Sequence, residues 1–198
     1  MAEAIYRAGP QLDSPVSYVN NTLILLTLDI YQTHGIVCLL VKNITKETQN
    51  TMKTFHVEAK QIDRFQVEVV SGDHTIVIDQ PKAVGGNGAG CCPVEYVLAG
   101  LAACILNVAY VVAGERKIEL RGLTVRVEGD LNPARFVGMP TEDRAGFQSI
   151  RLIANIDANM TLEEKEDFLR VVEARCPVSD NLANTTPVDV ILEEKVRA

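Results

Sequence analysis

An α+β domain is the fold the sequence predicts, and three observations predict it. Short runs of alternating apolar and polar residues open the well-patterned part of the chain, from about residue 54. One long apolar helix rich in small residues follows. Two further alternating runs then precede a second, amphipathic helix. Strands and helices grouped in blocks, without repeated βαβ units, define the α+β class.

Each element has its own warrant. Phe55, Val57 and Ala59 alternate with polar neighbours, and Phe65, Val67 and Val69 repeat the pattern after "QID". "HTIVID" follows the turn signal "SGD", so three short strands form an antiparallel meander. "GGNGAG" comes next, a loop that only a glycine-rich chain could fold tightly. "CCPVEYVLAGLAACILNVAYVVAGERK" has the length and apolarity of a helix from Pro93 to about Gly114. Proline in its first turn and Glu95 close behind suit a helix start. Apolar nearly all round, with Ala99, Gly100, Ala102 and Ala103 permitting close approach, it is expected to be a buried central helix.

"GLTVRVEGDL" alternates through Leu123, Val125 and Val127, and "QSIRLIANID" through Ile150, Leu152, Ala154 and Ile156. Between them "NPARFVGMPTEDRAG" is a loop. "TLEEKEDFLRVVEA" opens with the capping box Thr161 and Glu164 and sets Leu162, Phe168, Leu169 and Val172 on one face. Pro177 then begins a short helix, "PVSDNL", and "PVDVILEE" is expected to be a last strand.

The 198 residues suffice for one domain with a sizeable core plus an appendage. Residues 1–50 form the expected N-terminal extension and 51–198 the domain. Within the extension, the apolar arms from Leu23 to Val41 are interrupted by Asp29, Gln32, His34 and Gly35, short of the ~20 apolar residues of a spanning helix. An apolar appendage usually finds a partner surface, so contact within an oligomer is its expected use. A net charge of −7 without a basic run disfavours a phosphate-backbone partner, and five aromatics per hundred residues disfavour a base-stacking platform. No secretory leader is recognised at the N-terminus. A cytoplasmic, reducing location is the expectation, with neither nucleic acid nor membrane as partner.

The motifs narrow the chemistry. "GGNGAGCC" lacks the third glycine of a dinucleotide fingerprint and the lysine and hydroxyl residue of a phosphate loop. His34, His56 and His74 are scattered, and the cysteines (Cys38, Cys91, Cys92, Cys104 and Cys176) offer no C-x-x-C pair, so no metal and no cofactor are expected. Cys104, mid-helix among alanines and leucines, has the setting of a core residue. Cys176 differs. With Pro177 at the first helical position it becomes an N-cap, where backbone N–H groups stabilise a thiolate. Cys92 before Pro93 has the same local geometry. Either thiol could equally be no more than an unusual cap.

Taken together, a glycine-rich loop, "CPVEYVLAGLAAC", a strand pair, a helix and "RCPVSDNL" before a final strand resemble the OsmC/Ohr family. These are the osmotically inducible protein C and organic hydroperoxide resistance proteins, and the resemblance runs over about residues 54–193. It implies antiparallel β-sheets wrapped around long central helices in an intertwined homodimer. It also implies a thiol peroxidase for small organic hydroperoxides, serving oxidative stress defence and recycled by a dithiol reductant. Carried over, Cys104 aligns with the peroxide-attacking cysteine and Cys176 with the resolving one. In the Ohr branch a glutamate directly follows the helix-opening proline and joins an arginine in activating the cysteine. Here that position is Val94, which leaves Glu95 and Arg64 as the supporting candidates, Glu95 having helix stabilisation as its alternative role. The departure also keeps open a second function, an OsmC-like binding protein without peroxidase turnover.

Overall fold

The structure, a computed structural model, describes residues 52–193. The expected extension, residues 1–50, lies outside the described residues. The domain begins with the meander: β1 (Glu58–Gln61), β2 (Val67–Ser71) and β3 (His74–Ile78) pair antiparallel in the order β1-β2-β3. Val69 pairs with Ala59 on one side and Ile76 on the other. The first strand starts at Glu58 and not at Phe55. Phe55 and Val57 are exposed, and no described strand pairs with them.

A one-turn 3-10 helix, Lys82–Val84, leads through the glycine loop into α1 (Pro93–Arg116). This helix runs past Gly114 and stops where Lys117 takes a left-handed conformation, φ 55°, its N–H bonding back to Ala113 and Gly114. β4 (Leu120–Asp130) and β5 (Ser149–Ala158) make a second antiparallel sheet. The register sets Leu123 opposite Ile156, Val125 opposite Ala154 and Val127 opposite Leu152, so the alternating apolar residues of both strands share one face. That face receives α1. α2 (Leu162–Ala174) and α3 (Pro177–Ala183) complete the domain.

The core forms where α1, β5 and α2 meet. Leu101, Ile105, Ala109, Val112 and Ala113 are buried with Ile156, Ala158, Phe168, Val172 and Cys176. At α2 the capping box is formed: Thr161 N–H donates to Glu164 and Glu164 N–H donates back to Thr161 Oγ1. Leu162, expected on the buried face, is instead exposed because it is the first helical residue, nearly two turns before Phe168.

Two expectations fail in informative ways. α1 is apolar on all sides, but the described residues cover only one face. Val94, Val97 and Tyr110 are substantially exposed on the other, with Gly100 and Ala103 between them. The helix is long and apolar enough to cross a bilayer, yet its buried stripe packs as a core helix does. The predicted last strand is absent: Pro187–Glu193 is irregular, with Val188, Val190, Ile191 and Leu192 all more than four-fifths exposed. Without a neighbouring strand the apolar pattern has no ladder to join.

Candidate active site

The glycine loop is built around a carboxylate that the sequence pattern did not flag. Asp79, at the end of β3, is fully buried. Its Oδ1 accepts the Gln80 N–H at 2.7 Å, and its Oδ2 accepts those of Asn87 at 3.0 Å and Ala89 at 3.1 Å. The Ala89 N–H and its neighbours hold this carboxyl below the usual carboxylate range, against the cost of burial. The loop's inward N–H groups, which in a nucleotide-binding loop would face phosphate, are thus spent on Asp79. Space is equally committed: a Cβ on Gly86 would lie 2.0 Å from the Gln80 carbonyl oxygen, and one on Gly90 2.0 Å from that of Val77.

This loop fixes the start of α1. Asp79 N–H donates to the Cys91 carbonyl, and the Tyr96 hydroxyl donates to Val77 O at 3.1 Å. Cys92 is the N-cap, and its N–H donates to the Glu95 carboxylate at 2.7 Å. Glu95 therefore satisfies one of the orphan donors of the first turn. Arg64 sits in the turn between β1 and β2, its guanidinium 5.4 Å from the Phe65 ring centroid and beside Gly85. The supporting pair suggested by the resemblance is occupied elsewhere, Glu95 with the helix cap and Arg64 with the meander.

The two downstream cysteines, by contrast, come together. Cys104 lies on α1 between the buried Leu101 and Ile105, itself half-buried against the core. Cys176 follows α2 and is 1% exposed. Proline at N1 makes it the N-cap of α3, and the Ser179 N–H donates to its Sγ at 3.3 Å. Cys104 packs against the core cluster that contains Cys176. The residue before it is clamped: Arg175 grips Glu115 of α1 with two hydrogen bonds, of 2.6 and 3.0 Å. That bidentate bond ties the α2–α3 junction to the helix that carries Cys104.

Burial pushes the Cys176 thiol up, and the neighbouring Cys104 adds to the rise. The Ser179 and Val178 N–H groups pull the other way and do not prevail. Cap geometry alone predicted a stabilised thiolate at Cys176; desolvation reverses that expectation. The site therefore pairs a partly accessible thiol with a buried one held protonated.

A cavity of about 540 Å³ lies against the Leu101 and Ile105 side of α1, and neither Cys104 nor Cys176 lines it. Leu101 and Ile105 of α1, Leu152 of β5, Leu169 of α2 and Leu182 of α3 give it apolar walls. Arg144 and Glu173 are its charged residues. Among the described residues, no group of three or more His, Cys, Asp or Glu side chains is placed to hold a metal ion.

The architecture is an α+β frame in which Cys104 packs against the core cluster that contains Cys176. The family model described as OsmC-like protein matches residues 85–191, and the chain belongs to that family. It is 27% identical over 135 residues to a hydroperoxide reductase of Mycoplasma genitalium, covering 68% of this chain and 90% of that relative. Among solved structures it is similar to an OsmC-like protein from Mycoplasma pneumoniae, at 26% identity and a TM-score of 0.60, covering 68% of this chain and 91% of the other. An organic hydroperoxide resistance protein from Elizabethkingia anophelis shares the fold at 24% identity and a TM-score of 0.55, covering 69% and 93%. The family model leaves residues 1–84 and 192–198 outside its match.

Proposed function

We propose that the protein is a two-cysteine peroxidase for organic hydroperoxides, acting in the cytoplasm in oxidative stress defence. The observation that carries this reading is the packing of Cys104 against the core cluster that holds Cys176. Cys104, as thiolate, attacks the outer peroxide oxygen; the O–O bond breaks, and the alcohol leaves with a proton. Cys104 is then a sulfenic acid. The Cys176 sulfur attacks it, a disulfide forms and water departs. A dithiol reductant restores both thiols and is itself oxidised to a disulfide. Keeping Cys176 protonated until that second step suits the resolving role. The name of the Mycoplasma genitalium relative, a hydroperoxide reductase, supports the substrate class.

The active unit is a homodimer. The uncovered face of α1 and the unpaired apolar segment Val188–Leu192 are surfaces that a second copy would cover. The segment 1–50 adds oligomer contact to that assembly.

Incubating reduced protein with cumene hydroperoxide and counting thiols tests the chemistry. Two thiols per chain should disappear, and Cys104→Ser should lose none. Equal loss in Cys104→Ser would defeat the reading. The engagement of Glu95 in the helix cap, with Val94 before it, favours a second reading, an OsmC-like binding protein without turnover. A ligand that stabilises both cysteine variants as well as the native chain, with no thiol loss, would support that one.

A further inference from the structure

We propose that the clamp between Glu115 and Arg175 positions Cys176 against Cys104, so that both clamp residues are positioning residues for disulfide formation and not for attack on the peroxide. The inference rests on the peroxidase reading and adds to it two residues beyond the thiols. Its starting point is how little else holds the α2–α3 junction. Phe168 and Val172 anchor the body of α2 in the core. Glu173, Ala174 and Arg175 are exposed, and α3 has no buried residue. Between Val172 and the end of α3, Cys176 is the only buried side chain.

The sulfur has a local tie and the junction a distant one. The Ser179 N–H on Sγ at 3.3 Å orients the thiol within its own turn, but it does not fix that turn relative to α1. The clamp supplies this relation. Nη1 and Nη2 of Arg175 donate to the two carboxylate oxygens of Glu115 at 2.6 and 3.0 Å, a fork that sets an orientation as well as a distance. Glu115 lies about three turns of α1 beyond Cys104, on nearly the same face. Helical side chains lean towards the N-terminus, so its carboxylate reaches back towards the thiol. A second pair, Arg116 with Asp167, also joins α1 to α2, but it grips the middle of α2 beside Phe168, where the core already holds the helix. Both clamp side chains are about two-fifths exposed, so their pair adds little to global stability. Its leverage is on position.

The step it serves is the condensation. Cys176 gives up its proton and its sulfur attacks the sulfur of the Cys104 sulfenic acid. The S–O bond breaks, and the departing hydroxide takes up that proton and leaves as water. A displaced Cys176 prolongs the life of the sulfenic acid. A second hydroperoxide then oxidises it to sulfinic acid and is itself reduced to the alcohol.

Quenched-flow mass spectrometry with cumene hydroperoxide separates the two steps, sulfenic acid formation on Cys104 and its conversion to the Cys104–Cys176 disulfide. Arg175→Gln and Glu115→Gln should each slow the second step about tenfold and leave the first within about twofold, the pattern of a misplaced reacting group. Excess peroxide should raise the sulfinic acid on Cys104 in both. Arg175→Lys, a point charge in place of a fork, should keep part of the native rate. Arg116→Gln should leave both steps as in the native protein. An unchanged second step in Arg175→Gln and Glu115→Gln, a fall of the same size in both steps, or the same slowing in Arg116→Gln would overturn the proposal. If the native protein shows no oxidation of Cys104 by the peroxide, the peroxidase reading fails, and equilibration of the reduced chain with glutathione disulfide decides the positioning role. A Cys104–Cys176 disulfide about tenfold less favoured in Arg175→Gln than in the native protein, with Arg116→Gln unchanged, supports the clamp. Equal equilibria, or no disulfide between the two cysteines, overturn it.

Discussion

Cys176 is governed by two opposed effects, and their balance has a measurable sign. The Ser179 N–H lowers its pKa, burial and Cys104 raise it, and the rise prevails. The folded chain holds this proton more tightly than the unfolded chain does. The resulting stability is complete below the ordinary cysteine value of 9.0 and is lost as pH rises through the raised folded value. Cys176→Ser should therefore flatten the alkaline limb of the stability profile, as followed by urea midpoints. An unchanged limb would mean that Cys176 is not the group responsible. Cys176→Ser should also allow one oxidation and leave a sulfenic acid on Cys104, detectable by dimedone labelling. If that variant blocks the first oxidation and Cys104→Ser does not, the two roles are reversed. Glu95→Gln has a smaller expected effect. Its amide oxygen can still accept the Cys92 N–H, so only a first-turn charge worth about 0.3–1 kcal/mol is lost. Cys104 oxidation should stay within about twofold of native, since a tenfold loss would mean roughly 1.4 kcal/mol of barrier that a cap does not supply.

The meander, α1, the sheet pair and α2 were all legible as elements, because each carries a periodic apolar pattern or a capping signal of its own. The core positions on β4 and β5 followed from alternation, and the pairing of Leu123 with Ile156 keeps them on one face. The glycine loop was legible only as a loop. Its organiser, Asp79, is a single acid before "QPKAVGGNGAG", and what it does depends on backbone N–H groups eight and ten residues later. The one available signal was a carboxylate leading directly into a glycine-rich turn. Gly90→Ala should destabilise the domain by about 1–3 kcal/mol, the usual cost of forcing an extra methyl into filled space. Asp79→Asn should lower Tm and speed amide exchange in residues 86–90 ahead of the rest of the domain. Uniform exchange across the domain in Asp79→Asn would count against a local anchoring role.

At the level of the whole molecule, the sequence pattern and the described structure differ most at the two apolar surfaces that the described residues leave open. A helix apolar on every side, and a segment near the C-terminus patterned as a strand, both anticipate neighbours that the described residues do not supply. Sequence periodicity reports that a face is apolar, not which chain covers it, and so α1 was expected to be buried and the last strand to be paired. The convergence of Cys104 and Cys176, 72 residues apart, lay beyond periodicity as well. It was available only through the resemblance, since no local pattern states a long-range contact. Light scattering should give a dimer at micromolar concentration. Ala103→Arg, on the uncovered face of α1, should shift the population towards monomer while the helical circular dichroism persists. A native monomer at that concentration would contradict the assembly.

The central claim is that Cys104 and Cys176 are one redox pair. Mass spectrometry of non-reduced peptides, after one equivalent of cumene hydroperoxide is added to reduced native protein, tests it most directly. The account predicts a peptide joining Cys104 to Cys176 through a disulfide, with Cys91 and Cys92 still free. Recovery of both Cys104 and Cys176 as free thiols, or a disulfide that joins either of them to Cys91 or Cys92 instead, would contradict it.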